Sequence, residues 1–204
     1  MVTYLNRVLL ILLLPTLLFA NEVTLESIYE QILIKYSTID TYETEFVQEN
    51  YWNEIDVNKI SEGKLYYNKE NLLMEYTQPD GQKLQIKENS ITMYDPITEQ
   101  AFISDKVDIE LRPDKLISHY WDVSEKELIE EYEDTIKIQL LTPESETILI
   151  TISNNMVVEF NIVDINKNFV IYKFSDILIN KGLPENIFEL NFPENTSVID
   201  TRSK

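Results

Sequence analysis

The sequence predicts a mainly β fold with some α: a strongly curved antiparallel sheet of about eleven short strands, an open or closed barrel, with helices over one mouth or face. Three observations predict it. Short runs of alternating apolar and polar residues recur along the chain, separated by turn signals such as Gln78-Pro79-Asp80-Gly81, Asp95-Pro96 and Ser153-Asn154-Asn155. Tight turns between successive runs imply antiparallel pairing. The rhythm changes to helical spacing only near the start and between Asp105 and Thr135.

Residues 1–20 read as a secretory signal, with Arg7 in the n-region, an apolar run from Val8 to Leu18 and a cleavage point near Ala20. The alternative, an uncleaved anchor, is disfavoured because the run is short for a bilayer core of about 30 Å. There is no cysteine, which excludes both a lipid-modified N-terminus and a disulfide framework. The expected mature protein is residues 21–204, one domain, soluble in the periplasm and monomeric. The net charge is −19, and loss of Arg7 with the leader makes it −20. So acidic a chain is a poor nucleic-acid binder and is repelled by anionic headgroups.

Leu25 to Tyr36 predicts the first helix, because Leu25, Ile28, Tyr29, Ile32, Leu33 and Tyr36 form one stripe and Thr24 can cap its start. Tyr42 to Trp52 begins the sheet, with Tyr42, Thr44, Phe46 and Gln48 on one side, and Ile60 to Tyr67 continues it. A meander follows through Leu72–Tyr76, Leu84–Lys87, Ile91–Tyr94 and Gln100–Ile103. Leu72, Met74 and Tyr76 share a face, as do Leu84 with Ile86 and Ile91 with Met93. That face is too broad to leave in water.

Arg112-Pro113-Asp114 starts a helix, with Leu116, Ile117, Tyr120 and Trp121 on one side. Ser124-x-x-Glu127 reads as a capping box for a second helix, with Leu128, Ile129 and Tyr132, ending near Glu133. The second half predicts strands at 136–140, 148–152 and 158–162, then Phe169–Ile179, apolar on both faces and so central or covered twice. Phe188-Glu189-Leu190-Asn191-Phe192 is the expected last strand, closed by Pro193.

Catalytic and metal-binding patterns are absent from the sequence. His119 is the one histidine and reads as a packed or surface residue. With no cysteine, an ordinary zinc site is not expected. No nucleophile elbow, phosphate loop or dinucleotide fingerprint occurs, and the acidic pairs read as solvated faces. The expectation is a binding protein, not an enzyme, with no cofactor.

Gly63-x-Leu65, Asn71-Leu72, Thr77-Gln78-Pro79-Asp80 and Tyr94-Asp95-Pro96-x-x-Glu99-Gln100-Ala101, in that order and spacing, resemble the LolA family of periplasmic lipoprotein carriers. Phe46-x-Gln48 upstream, and Leu141-Thr142-Pro143 and Phe188-x-Leu190-x-Phe192-Pro193 downstream, extend the likeness. The resemblance implies an open half-barrel covered by a helical lid, and a return to sheet near Tyr132. It implies a vacant apolar cavity, here lined by Leu65, Tyr67, Leu72, Met74, Tyr76, Ile86 and Met93, with Ile28, Ile32, Leu116 and Tyr120 on the lid. For each of these residues ordinary core is the alternative. The family's lid-holding arginine corresponds to Lys69, which lacks the planar guanidinium fork. A solvated turn lysine is the alternative there.

The implied function is shuttling. Acylated lipoproteins would come from an inner-membrane release transporter and pass to an outer-membrane acceptor. Exposing about forty methylenes of lipoprotein acyl chain to water costs on the order of 30 kcal/mol, which calls for an apolar container. The acidic surface can steer docking onto basic partners. The rival readings are a periplasmic lipid-binding or lipoprotein-sensing domain on the same half-barrel, a small outer-membrane barrel, and a hydrolase using scattered acids.

Overall fold

The computed structural model describes residues 24–105 and 111–203, so the predicted signal sequence lies outside the described residues. The chain runs α1 (Leu25–Ser37), β1 (Thr41–Trp52), β2 (Val57–Asn68), β3 (Leu72–Gln78), β4 (Lys83–Lys87), β5 (Ser90–Asp95), β6 (Gln100–Asp105), α2 (Pro113–Trp121), β7 (Glu125–Tyr132), β8 (Thr135–Leu141), β9 (Thr147–Ser153), β10 (Met156–Val163), β11 (Phe169–Ile179) and β12 (Ser197–Asp200). All twelve strands join one open, curved sheet in the order β12-β6-β5-β4-β3-β2-β1-β11-β10-β9-β8-β7. Its pairs are antiparallel except β12 with β6, which is parallel.

This order fixes where the roof goes. The chain leaves β6 near one edge of the sheet and must reach β7 at the other edge. Between the two edges, α2 lies on the inner face. Helix α1 enters from the middle, just before the central strand β1. Its start is a reciprocal cap: the Ser27 N–H donates to Thr24 Oγ1 at 3.1 Å, and the Thr24 N–H donates to Ser27 Oγ at 3.1 Å. The apolar stripe then buries Ile28, Ile32 and Tyr36. Each such buried side chain contributes about 1.5–3 kcal/mol. The core joins these residues to Tyr42, Phe46, Leu65, Leu72 and Met74 on one half of the sheet, and to Ile138, Ile150, Val157 and Phe160 on the other.

Two α-helices are described, and α2 stops at Trp121. The stretch read as a continuing helix, Ser124 to about Glu133, is strand β7. The supposed cap does not form, since the buried Ser124 hydroxyl has no hydrogen-bond partner. Leu128, Ile129 and Tyr132, taken for a buried helical face, are exposed. Glu133, at φ 52°, and Asp134 close a two-residue hairpin into β8. The open edge of β8 is a better partner for this backbone than an isolated helical turn.

The expected last strand is also corrected. Residues 188–192 pair with no strand. Phe188, Leu190 and Phe192 are half-buried while Glu189 and Asn191 are exposed, so the alternation was real. It serves to press the segment onto the outer face of the meander. There Gln85 Nε2 donates to the Phe188 carbonyl at 2.7 Å, and the Tyr94 and Phe192 rings lie 5.3 Å apart. The edge of β6 goes instead to β12. Phe169–Ile179 is central, as expected, between β1 and β10.

Candidate functional site

The inner face of the meander carries the predicted cavity residues. Register aligns Leu65 with Met74, Tyr67 with Leu72, Leu72 with Ile86 and Met74 with Leu84. Leu65, Leu72, Met74 and Ile86 are buried, and Tyr67 and Tyr76 are half-buried against them. The Tyr76 ring meets Phe46 edge-on at 5.2 Å, and burial pushes its hydroxyl pKa up to about 12. Burial likewise raises the pKa of Tyr36, Tyr42 and Tyr172. The hydroxyls of this interior therefore stay uncharged at any physiological pH. Met93 shares the face by register, between Leu84 and Phe102, but it is 44% exposed and lies beyond the roof.

The residues expected on the lid lie on α1 and α2, against the core. Ile28 and Ile32 of α1 are fully buried, and Leu116 and Tyr120 of α2 are half-buried against the core. The helices are fastened to each other, with Tyr29 stacked on Trp121 at 4.3 Å and donating from its hydroxyl to Ser118 Oγ at 3.1 Å. Helix α1 is also fastened to the sheet, since the Val157 N–H donates to the Tyr36 hydroxyl oxygen at 3.3 Å. His119 is exposed and touches the Tyr120 ring, which fits a surface histidine. Among the described residues, no three His, Cys, Asp or Glu side chains are placed to hold a metal.

The space enclosed by Leu65, Met74, Leu111, Leu116, Tyr172 and Phe174 has no room for a water molecule. Beside it, a cavity of about 380 Å³ opens between the meander and the start of α2. Tyr67, Leu72 and Ile86 form one wall, and Leu111, Arg112 and Lys115 the other. This volume falls in the range of about 300–1,000 Å³ usual for small-ligand pockets.

The seam along this cavity is held by Arg112, which sequence reasoning passed over as part of a helix start. Its guanidinium meets the Asp114 carboxylate through two nitrogens, Nε to Oδ1 at 2.5 Å and Nη2 to Oδ2 at 2.6 Å. It also donates from Nη1 to the Tyr67 hydroxyl and lies over that ring, 4.9 Å from its centre. Burial alone would lower the Arg112 pKa, but the Asp114 carboxylate outweighs it and the net shift is upward. Asp114 is 4% exposed, so loss of this partner would leave a buried carboxylate unpaired. One residue thus joins the first turn of α2 to β2. The available signal was an arginine two residues from an aspartate, in a chain whose other arginines are Arg7 and Arg202.

For Lys69 the expected alternatives were a lid latch and a solvated turn lysine. It sits in the turn that Asn68 Oδ1 closes by accepting from the Glu70 and Asn71 N–H groups. Its ammonium pairs with Asp40 at 2.6 Å, in the link after α1, and both side chains are 69% exposed. It borders the cavity, and among the described residues its ion pair is with this link and not with a helix. Lys69→Leu is therefore expected to leave both the denaturation midpoint and the release rate of a bound hydrophobic probe unchanged. Slower probe release in stopped-flow fluorescence would restore the latch role.

A family described as outer membrane lipoprotein carrier protein LolA matches residues 37–191. No curated protein matches the chain. Among solved structures, an uncharacterized conserved protein from Thermus thermophilus is similar at 13% identity and a TM-score of 0.56, over 86% of this chain and 98% of that one. The MucA/MucB complex of Pseudomonas aeruginosa is similar at 10% identity and a TM-score of 0.54, over 80% of this chain and 60% of that one. At these identities the likeness is one of fold. The family match covers β1, the meander, α2 and β7 to β11, leaving out nearly all of α1 and all of β12, and by it this chain belongs to the LolA outer membrane lipoprotein carrier family.

Proposed function

We propose that this chain is a periplasmic carrier. It takes acylated lipoproteins from an inner-membrane release transporter, shields their acyl chains between sheet and roof, and passes them to an outer-membrane acceptor. One observation carries the reading: an apolar inner face is roofed by a helix whose start is joined to the sheet by a polar cluster, Arg112 with Asp114 and Tyr67. The closed interior is the unloaded form. Its side chains can exclude water until an acyl chain replaces the roof over them. Lifting α2 opens the 380 Å³ cavity inward to Leu65 and Met74. No covalent step is involved, and among the described residues no helix is long and apolar enough to cross a membrane.

The experiment is mass spectrometry of protein purified from the periplasm, together with titration of a fluorescent long-chain fatty acid. Acylated polypeptides should co-purify, and the probe should bind saturably. Failure of both would sink the carrier reading. Saturable binding with no transfer of acylated polypeptide to acceptor vesicles would favour a lipid-sensing domain on the same half-barrel.

A further inference from the structure

The sheet is split between β10 and β11. These strands pair only over Glu159–Val163 and Phe169–Lys173. Beyond that, residues 174–179 pair with β1 alone, and Met156 and Val157 pair with β9 alone. Both strands are irregular where they part. The register of β10 with β9 shifts between Val157 and Glu159, leaving Val158 unmatched. On β11 the shift falls at Asp176, which has φ 50°. Facing irregularities of this kind bend strands apart.

The split is held in place from the other side. The buried Thr44 hydroxyl donates to the Ser175 carbonyl at 2.6 Å, which ties the irregular part of β11 to β1. The Asn180 side chain accepts from the Asp40 and Thr41 N–H groups and donates to the Thr38 carbonyl. The end of β11 is thereby pinned to the α1–β1 link and away from β10.

A wedge of about 360 Å³ results, walled by Met156, Val158, Phe174, Ile177 and Ile179. Lys35 and Asp176 stand at its rim, one of each charge. In a strand, alternate residues turn their N–H and C=O groups to opposite neighbours, so part of the β11 backbone faces this wedge with no strand beside it. Phe174 is also a wall of the closed space beneath the roof, so the wedge and the proposed acyl compartment are separated by one ring.

We infer that the wedge is a peptide-binding site. It takes about four residues of extended polypeptide without net charge, paired along residues 174–179 by strand addition. The occupant is the cargo's own chain next to its acylated terminus, with the acyl chains lying across Phe174 under the roof. The inference rests on the carrier reading and adds to it a site for the protein part of the cargo. The apolar walls receive alternate side chains, and the backbone contacts are indifferent to sequence, which suits one carrier with varied cargo.

The test compares two ligands by displacement of the fluorescent fatty acid: a synthetic triacylated cysteine amide, and the same group at the start of an uncharged heptapeptide. The full chain should bind the lipopeptide at least about tenfold more tightly. Val158→Arg, which fills the wedge, should abolish that difference and leave the fatty-acid affinity unchanged. Hydrogen exchange on the unaltered protein should show the amides of residues 174–179 slowed by the lipopeptide and not by the cysteine amide. Equal affinities, or exchange unchanged at those amides, would overturn the inference while the carrier reading stands. Failure of the unaltered protein to bind the fatty acid would overturn both.

Discussion

Arg112→Leu is expected to destabilise the protein by about 3–5 kcal/mol, because it leaves the Asp114 carboxylate buried and unpaired. It should also release the roof. If opening α2 breaks the Arg112 contacts to Tyr67, those contacts no longer hold the closed form once leucine replaces them. A hydrophobic probe should then enter at least about tenfold faster, since a shift of about 1.4 kcal/mol in the opening equilibrium suffices for that. The double variant Arg112→Leu/Asp114→Asn separates the two effects. It removes the orphaned charge, so most of the lost stability should return, while probe entry stays fast. Denaturant midpoints and stopped-flow fluorescence give the two readouts. A loss of stability with unchanged probe kinetics would leave Arg112 a purely structural residue.

Gly63→Ala should be nearly as damaging, for a different reason. A Cβ at Gly63 would lie 2.1 Å from the Glu75 carbonyl oxygen and 2.9 Å from both the Glu75 carbonyl carbon and Tyr76 Cα. These are backbone atoms of β3 and cannot swing away as a flexible side chain would. The β2–β3 ladder is already irregular there, shifting register between Glu62 and Gly63. Overpacking costs typically about 1–3 kcal/mol and occasionally more; the upper end is expected here. At about 2–4 °C per kcal/mol for a chain of this size, Tm should fall by about 6–12 °C. Calorimetry showing a fall under about 2 °C would mean that the two strands have room to part.

Gly63 illustrates what kind of information a sequence holds. Gly63-x-Leu65 was visible as part of a family pattern, but its physical reason, the approach of β3 across the ladder, was not. The meander was legible almost residue by residue, because its strands are local neighbours joined by tight turns. The first helix was legible because its stripe and its cap agree. At residues 124–133 the local pattern misled. A capping box and a helical stripe are short signals, and an open strand edge contributed by distant residues outweighed them. At residues 188–192 the alternation was read correctly but its partner was not. Half-burial against an outer sheet face leaves the same trace as half-burial within a sheet.

The candidate site divides in the same way. Six of the seven proposed cavity residues lie together beneath or beside the roof because strand parity decides which face a residue takes, and parity can be read from sequence. Met93 has the right parity but lies beyond the reach of α2. Arg112, Asp114 and Phe174 drew no attention because their significance depends on what the fold brings to them.

The amino-acid order alone settled the faces of the strands, the first helix, the acidic surface and the absence of cysteine. These follow from periodicity and composition, which are properties of neighbours along the chain. Tertiary structure decided the rest: that β7 and β12 complete the sheet, that Arg112 joins α2 to β2, and that β10 and β11 part around a wedge. Each of these is a choice among partners far apart in sequence, made by which backbone edges and apolar faces remain to be covered once the local elements have formed.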